Sequence, residues 1–209
     1  MSDKKSGVFI SLEGTEGAGK SSNLAFIKEF LDDNGKDVLV TREPGGTPFA
    51  EEIRELLLSP RDEAVCENAE LLLIFAARAQ HLQSLIVPAL KQGRWVVSDR
   101  FTDASFAYQG GGREMSFDTI HQLERLVQGS LRPDLVILLD LPVELGMERV
   151  AKRGTLDRFE QENLEFFSRV RQAYLARAEQ NPPSYAVVDA SKPLSSVQDS
   201  IRAALERLI

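Results

Sequence analysis

Short apolar runs alternate with longer amphipathic stretches along this chain. Most of the runs are rich in β-branched residues and apolar on both faces, as strands buried on both sides of a sheet are. They cover residues 8–12, 38–41, 95–98, 135–139 and 186–188. The amphipathic stretches predict helices over 20–33, 49–58, 67–91, 117–128, 143–152, 163–179 and 194–208. Alternation at this spacing indicates βαβ units, and therefore an α/β fold with a five-stranded parallel sheet and helices on both faces.

Charged residues and glycines follow the ends of the predicted strands. Glu13 and a glycine run come after the first strand, Arg42 after the second, Asp99 and Arg100 after the third, and Asp140 after the fourth. In sheets of this kind, ligands bind beyond the carboxyl ends of the strands. Because arginine and carboxylate recur at this one edge, we expect an active site there.

Residues 14–21 match the phosphate-binding pattern G-x-x-x-x-G-K-[ST]. They follow a predicted strand and open a predicted helix, which is the context that the pattern requires. The glycines let backbone N–H groups approach phosphate oxygens, the helix N-terminus adds its positive end, and Lys20 supplies a charge for the β and γ phosphates. The pattern predicts a P-loop NTPase fold that binds a nucleoside triphosphate through Gly14, Thr15, Glu16, Gly17, Ala18, Gly19, Lys20, Ser21 and Ser22.

Two residues are candidates for holding a magnesium ion beside the triphosphate. The Ser21 hydroxyl suits Mg²⁺ directly. Asp99 ends the third predicted strand, where a carboxylate can hold the ion through its water shell. The alternative for Asp99 is an N-cap of the following helix, and the two roles are compatible.

Composition narrows the range of partners. The chain has 209 residues, of which 43% are hydrophobic, and this suits one globular domain over 1–209. A formal net charge of −7 argues against general affinity for nucleic acid or an anionic membrane, because a phosphate surface repels it. A lone cysteine, Cys66, cannot form an internal disulfide, so we expect a reduced, cytoplasmic setting. His81 and His121 lack the spacing of metal ligands and are expected at the surface or in helix packing.

Several arginines predict a second anionic ligand beside the triphosphate. Arg42 and Arg100 follow neighbouring strands, and Arg54 lies one helix further on. Arginine grips phosphate oxygens in a bidentate way, so an acidic protein with this set is expected to bind a small anionic acceptor. The alternative for each arginine is a surface salt bridge. The sequence contains no Asn-Lys-x-Asp segment for reading guanine, which disfavours a GTPase switch.

A lid is predicted at about 150–162, where a Gly-Thr pair interrupts a helical pattern. Arg149, Arg153 and Arg158 surround the interruption. Phosphoryl transfer needs charge neutralisation and exclusion of water, and a lid that carries arginines supplies both when it closes. A solvated charged turn is the alternative.

Together these segments resemble the thymidylate kinase family over essentially the whole chain. The resemblance rests on LEGTEGAGKSS, TREPGGT, FAARAQH, SDRFTDASFAYQGGGR, RPDLVILLDLP, RGTLDRFE and VVDASKPL, in this order. The bacterial form with an acidic phosphate loop and a basic lid is the most similar. The resemblance implies transfer of the ATP γ-phosphate to dTMP with Mg²⁺, giving dTDP and ADP, as a step in dTTP biosynthesis. It also implies a homodimer, for which the long apolar helix over 67–90 is the candidate surface.

The resemblance further implies roles on the acceptor side. Arg42 and Arg100 would bind the acceptor phosphate, with Arg54 as a further candidate. Glu13 would face the acceptor's sugar and the transferring phosphate. The lid arginines with a catalytic role would be Arg153 and Arg158.

Contacts with the base and sugar follow from the same motifs. Arg78 would hydrogen-bond the thymine ring, and Tyr108 would crowd the 2′ position of a ribose. Further contacts would come from Pro44, Ser105 and Gln109. Ile74 and Phe75 both share a helix face with Arg78, so either of them would cover the thymine.

On the donor side, Arg149 and the loop 190–194, which contains Lys192, would flank adenine. Two alternatives to a dTMP kinase remain open. One is a regulatory protein that binds ATP and transmits closure to a partner, against which the lid and acceptor arginines argue. The other is a kinase for a deoxynucleoside or for a different monophosphate.

Overall fold

The computed structural model describes residues 7–152 and 158–209. Its strands are β1 Phe9–Gly14, β2 Val38–Arg42, β3 Trp95–Asp99, β4 Leu135–Asp140 and β5 Tyr185–Asp189. All pair in parallel, in the order β2-β3-β1-β4-β5. The prediction of a five-stranded parallel sheet is confirmed. Each strand runs one or two residues beyond the apolar pattern at its carboxyl end, since polar residues such as Asp99 keep their ladder pairing.

Nine α-helices connect the strands in the part of the chain that the structure describes. They are α1 Lys20–Asp33, α2 Pro48–Leu58, α3 Glu67–His81, α4 Val87–Lys91, α5 Thr102–Ser105, α6 Phe117–Gln128, α7 Val143–Ala151, α8 Leu164–Gln180 and α9 Leu194–Leu205. The predictions over 20–33 and 117–128 agree to the residue. The other predicted helix ends differ by at most three residues, apart from the long run over 67–91.

The predicted helix over 67–91 changes its hydrogen-bond spacing midway. A π-helical segment, Leu82–Ile86, separates α3 from α4. Pro88 follows closely and has no N–H to donate, so the regular ladder cannot pass through it unchanged. A second π-helical segment, Phe106–Gly112, extends α5. Apolar periodicity did not predict α5 or this segment, because the stretch ends in three glycines and carries no clear amphipathic period.

Helices cover both faces of the sheet. α1 and α9 pack on one face, where they bury the side chains of Leu12, Ile27, Leu31, Ile137 and Ile201. On the other face, α8 packs on β4, and α4 packs on β3 together with the π-helical segment before it. Beyond the β2 edge, α2 packs on α3 through Ile53, Leu57, Ile74 and Ala77. This helix pair forms a wall beside the carboxyl edge of the sheet.

By length and composition, the run Glu67–Lys91 is the one stretch among the described residues that could cross a membrane, with a hydropathy of 1.3. In the fold, 39% of that window is buried. A single helix of this kind is weak support for a membrane span, because core helices of soluble proteins have the same properties.

Candidate active site

Glycine conformations shape the loop between β1 and α1. Gly19 precedes α1 in the left-handed region with φ of 85°, and Gly17 has φ of 73°. A Cβ on Gly17 would lie 2.3 Å from the carbonyl oxygen of Gly146, so the loop lies directly against the backbone of α7. The backbone N–H groups of the loop and of the first turn of α1 are therefore free of side-chain crowding, as phosphate binding requires.

Lys20 begins α1 and folds back over the loop. Its Nζ donates to the carbonyl oxygens of Gly14 and Thr15, each at 3.1 Å. Burial, and then the nearby Arg100, lowers the pKa of Lys20, while Glu16 and other carboxylates oppose this shift. An incoming phosphate would add negative charge here and favour the ammonium form.

A cavity of about 470 Å³ extends from this loop along the carboxyl edge of the sheet to α3. Its size is that of a small-molecule site. Most of the predicted binding residues line it: Glu16, Gly17, Ala18, Gly19, Lys20, Ser21, Ser22, Pro44, Arg54, Ile74, Arg78, Asp99, Arg100, Ser105, Tyr108, Gln109 and Arg149. Segments that are far apart in the sequence thus meet in one cavity, at the edge where the active site was predicted.

Asp99 and Ser21 lie in this cavity, and their chemistry suits Mg²⁺. Oδ1 of Asp99 is buried without a hydrogen-bond partner among the described residues. Such an oxygen is costly to bury, and a water molecule from the shell of Mg²⁺ would satisfy it. Asp99 does not cap α5, whose N-cap residue is Phe101. Residues 7–152 and 158–209 contain no group of three or more His, Cys, Asp or Glu side chains that could hold a metal ion.

Arg100 connects the phosphate loop to α8. Its backbone has φ of 67°, which is uncommon outside glycine, and its N–H donates to the Leu12 carbonyl oxygen at 2.9 Å. The guanidinium donates to Glu16 at 2.6 Å and to the hydroxyls of Tyr108 at 2.9 Å and Tyr174 at 3.2 Å. The strained residue at the end of β3 therefore holds a cation beside the phosphate loop, as strain at functional sites often does.

Glu13 is fully buried beneath the cavity and does not line it. Its Oε1 accepts the Phe101 N–H at 2.7 Å, and its Oε2 accepts the Tyr174 hydroxyl at 3.0 Å. Burial, and then the nearby Asp103, raises the pKa of Glu13 to about 8, although Arg100 acts in the opposite direction. In this arrangement Glu13 fixes the backbone next to Arg100, and its predicted contact with the acceptor's sugar stays a prediction.

Arg42 does not line the cavity, and its predicted contact with an acceptor phosphate stays a prediction. Its side chain is 53% exposed and pairs with Glu51, with Nη2 and Oε2 2.8 Å apart. Glu51 also accepts the Gly46 N–H, so this ion pair closes the loop after β2 and keeps Arg42 away from the cavity. Arg54 lines the cavity instead, and its Nη1 donates to the Pro44 carbonyl oxygen at 2.8 Å.

Arg78 is buried and lines the cavity from α3. Its guanidinium carbon lies 4.6 Å from the ring centre of Phe75 and 5.4 Å from that of Phe101. Ile74, and not Phe75, lines the cavity. The sequence left open which of the two side chains covers the base. Of the two, Ile74 lines the cavity, while Phe75 packs against the guanidinium of Arg78.

α5 and its π-helical extension present three predicted residues to the cavity. Ser105 accepts a hydrogen bond from Arg78 Nη2 at 3.0 Å. Tyr108 donates to Glu16 at 2.8 Å and so reaches back to the phosphate loop. The Gln109 amide donates to Glu70 Oε1 at 2.9 Å, which fixes its orientation. π-Helical segments are frequent at functional sites, and this one sets the spacing of these side chains.

Of the arginines predicted to lie at the lid, Arg158 contacts α2 and α3. Its Nε donates to the Leu57 carbonyl oxygen at 2.8 Å, and Nη2 lies 2.7 Å from Glu70 Oε2, although not at a hydrogen-bonding angle. Arg158 does not line the cavity, and its predicted role in phosphate transfer stays a prediction. Arg153 lies outside the described residues.

On the donor side, Arg149 Nη1 donates to the carbonyl oxygens of Gly17 at 3.2 Å and Ala190 at 3.3 Å. It thereby joins the phosphate loop to the segment after β5. Lys192 is 61% exposed and lies 3.7 Å from Asp189. It does not line the cavity, and its contact with adenine stays a prediction.

Sequence reasoning missed several residues that shape the site. Glu43 and Phe159 line the cavity, and Glu70 and Tyr174 hold residues that line it. Glu43 stands in the TREPGGT segment, directly after β2 and just before a glycine pair, so its position was a usable signal. Glu70 and Tyr174 lie inside helices, where no local pattern sets them apart.

Comparison with known proteins gives one consistent result. The family model described as Thymidylate kinase matches residues 12–201. The thymidylate kinase of Ectopseudomonas mendocina (strain ymp) is 60% identical over 203 residues, 97% of each chain. That of Teredinibacter turnerae (strain ATCC 39867 / T7901) is 58% identical over 97% of this chain and 99% of its own. The crystal structure of thymidylate kinase from Ehrlichia chaffeensis is 30% identical, with a TM-score of 0.78 over 96% of this chain and 99% of that one.

Proposed function

The chain belongs to the thymidylate kinase family, and from this premise we propose the role of each residue group in its reaction. The enzyme phosphorylates dTMP to dTDP with ATP in dTTP synthesis, as the sequence predicted. One observation supports the proposed roles above all others. One cavity is lined both by the phosphate loop and by Arg54, Arg78 and Arg100.

The donor end holds the ATP phosphates. Backbone N–H groups of residues 14–22 contact the phosphate oxygens, and Lys20 supplies positive charge for the β and γ phosphates. Ser21 and Asp99 would hold Mg²⁺, and the buried Oδ1 of Asp99, which has no partner among the described residues, would accept a hydrogen bond from water around the ion. When bound, the ion neutralises charge on the donor phosphates. Arg149 flanks the adenine side.

The acceptor end holds the dTMP phosphate between Arg54 and Arg100. Both arginines line the cavity, and Arg100 reaches Glu16 of the phosphate loop at 2.6 Å. An acceptor phosphate bound by Arg100 is therefore close to the donor phosphates. A phosphate monoester oxygen is already a nucleophile at neutral pH, so these residues orient it and neutralise charge, and no side chain has to remove a proton.

The base and sugar of dTMP occupy the part of the cavity beside α3. Arg78 donates a hydrogen bond to the thymine ring through Nη1, which is buried and has no other partner in the described part of the chain. Ile74 covers the ring, and Ser105 and Gln109 contact its edge. Tyr108 crowds the position that a ribose 2′-hydroxyl would take.

Arg153 completes the charge neutralisation when the lid closes. This proposal rests on the sequence alone, where Arg153 stands in the basic segment that follows α7. Closure would also exclude water from the transferring phosphate.

We also propose that the single domain 1–209 acts as a cytoplasmic homodimer, without a nucleic-acid or membrane partner. The net charge of −7 disfavours both of those partners. The run over 67–90 is the dimer surface, because Leu72 on α3 is 57% exposed although it stands in an apolar stretch. Sedimentation of wild-type protein and of Leu72→Glu tests this, since the variant is expected to be monomeric.

A substrate panel tests the proposed function. Wild-type enzyme is assayed with ATP, Mg²⁺ and one acceptor at a time: dTMP, the ribose analogue of dTMP, dUMP, dCMP or thymidine. The formation of ADP is measured. We expect the highest kcat/KM for dTMP and the lowest for thymidine, which lacks the phosphate that Arg54 and Arg100 bind. Faster turnover of thymidine than of dTMP would contradict the acceptor site proposed here.

A further inference from the structure

His81 lies at the centre of a buried polar chain that the roles above leave unexplained. Its side chain is fully buried at the end of α3. Nδ1 lies 3.0 Å from Glu43 Oε1, and Nε2 lies 2.7 Å from the Thr41 hydroxyl. Glu43 is already the ion-pair partner of Arg78, so His81 donates its Nδ1–H to Glu43 and faces Thr41 with Nε2.

The loop after β2 is built closely around this histidine. Gly46 has φ of 87°, and a Cβ there would lie 2.5 Å from His81 Nε2 and 2.6 Å from the Thr41 hydroxyl oxygen. Only a residue without a side chain leaves room for the ring at this point. The second glycine of TREPGGT is therefore explained by His81 and not by a phosphate.

Glu43 divides its two oxygens between two partners. Oε2 accepts Arg78 Nε at 2.7 Å, and Oε1 is taken by His81. Arg78 Nη2 donates to the Phe101 carbonyl oxygen at 3.1 Å and to Ser105 at 3.0 Å. This leaves Nη1 as the guanidinium nitrogen without a partner in residues 7–152 and 158–209.

We propose that His81 is a positioning residue for the recognition of thymine, acting through Glu43 on Arg78. Arginine prefers to grip a carboxylate with two nitrogens at once. If Oε1 of Glu43 were released, the guanidinium of Arg78 would turn to engage both oxygens and would give up its contacts with Phe101 and Ser105. By occupying Oε1 of Glu43, His81 limits the ion pair of Arg78 and Glu43 to the contact between Nε and Oε2. Nη1 of Arg78 then stays available to the base. The inference rests on the proposed function, in which Arg78 hydrogen-bonds the thymine ring.

The test is a double-mutant cycle of His81→Leu and Arg78→Met, read as KM for dTMP, KM for ATP and kcat. His81→Leu should raise KM for dTMP about tenfold or more, the size expected for losing one charge-assisted hydrogen bond, with little change in KM for ATP. In the Arg78→Met background the same change should have less than about a twofold effect. His81→Asn should recover most of the affinity for dTMP, because its amide nitrogen is attached at the same position as Nδ1.

The preference for dTMP over dCMP gives a second measurement. Replacing a histidine with a merely structural role would not change this preference. In dCMP an amino group replaces the O4 carbonyl of thymine, so a fixed arginine donor disfavours it. His81→Leu and Arg78→Met should reduce the preference for dTMP over dCMP by a similar factor. His121→Gln is the matched control, since the other histidine of the chain is 46% exposed and pairs with Glu124 away from this chain of contacts.

The outcomes separate the proposed role of Arg78 from the inference about His81. If Arg78→Met leaves KM for dTMP and the selectivity unchanged, the proposed role of Arg78 fails. If Arg78→Met is severe but His81→Leu is additive with it, or lowers kcat and both affinities equally, the inference about His81 is wrong. Should His81→Leu not fold, Thr41→Val takes its place, because it removes the hydroxyl at Nε2 at nearly constant volume. It should raise KM for dTMP several-fold, and an unchanged value would overturn the inference.

Discussion

The two ends of the cavity are built in different ways. The donor end is made of consecutive residues, 16–22, in a loop whose glycine conformations expose backbone N–H groups. The acceptor end is made of side chains from α2, α3, the turn after β3, and α5 with its extension, held by ion pairs. One end is local in the sequence and formed by the main chain, whereas the other is assembled by the fold and formed by side chains.

The difference has consequences for substitution. A phosphate loop that binds through backbone N–H groups tolerates substitution of its non-glycine side chains if the loop conformation is kept. It depends on one lysine for positive charge. A cluster of guanidinium groups depends on each carboxylate that orients it, so changes distant from the substrate also reach the acceptor. We therefore expect losses at the donor end to fall on turnover and losses at the acceptor end to fall first on the affinity for dTMP.

The largest effect is expected at the donor end. Lys20→Ala removes the charge that faces the transferring phosphate and should lower kcat by about 10³-fold. Steady-state kinetics with dTMP and ATP measures this. Lys28→Ala is the control on the same helix, because Lys28 is exposed and pairs with Asp32. A kcat within a few-fold of wild type for Lys20→Ala would show that the loop does not hold the donor.

Arg100 and Arg42 offer the sharpest contrast within the acceptor end. Arg100→Ala should lower kcat/KM for dTMP by about 10²-fold or more, since a buried phosphate loses a charge-assisted partner. Arg42→Ala should change it by less than about threefold, because Arg42 is exposed and pairs with Glu51. Equal losses in the two variants would mean that the sequence had assigned Arg42 correctly and that its position here is not the functional one.

Substitution of Arg158 tests whether this arginine has a structural or a catalytic role. Because it contacts Glu70 and the Leu57 carbonyl oxygen, Arg158→Ala should raise KM for dTMP about tenfold or less and leave kcat within a few-fold. Initial rates over a range of dTMP concentrations decide this. A fall in kcat of about 10³-fold at unchanged KM would identify Arg158 as an arginine that acts in the transition state.

The last prediction concerns Glu13 and the dependence of stability on pH. Its pKa is raised to about 8 from 4.5, so between these values the folded protein keeps a proton that the unfolded chain loses. This contribution to stability therefore falls as pH rises from 4.5 to 8 and is constant above that. Glu13→Gln does not titrate, so its Tm relative to wild type should rise between pH 5 and pH 8 and then level off. A difference in Tm that is independent of pH would contradict the raised pKa.

The contrast between a donor end that is local in the sequence and an acceptor end that is assembled by the fold also explains how much could be predicted from the sequence. The strands, most helices and the phosphate loop follow from short-range patterns, and Lys20, Ser21 and Asp99 lie where those patterns placed them. Local patterns also predicted the edge of the sheet at which the cavity lies. They could do so because each of these features depends on neighbouring residues.

Local patterns could not predict all the side chains that form the acceptor end. Arg42 ends β2 and Arg54 follows on α2, but Arg42 pairs with Glu51 and does not line the cavity, whereas Arg54 does. Ile74 and Phe75 share a helix face, and the packing of Phe75 under Arg78 separates them. His81 was expected at the surface or in helix packing, and the structure instead shows it buried with polar partners on both ring nitrogens. In each case the outcome depends on residues from another element.

The central claim is that the donor and acceptor phosphates meet between the phosphate loop and Arg100. A crystal structure with dTMP, Mg²⁺ and a non-hydrolysable ATP analogue tests it most directly. We predict that the dTMP phosphate lies within hydrogen-bond distance of the Arg100 and Arg54 guanidinium groups, with the ATP γ-phosphate on Lys20 across from it. A dTMP phosphate bound away from both arginines, or a γ-phosphate out of reach of Lys20, would contradict the account.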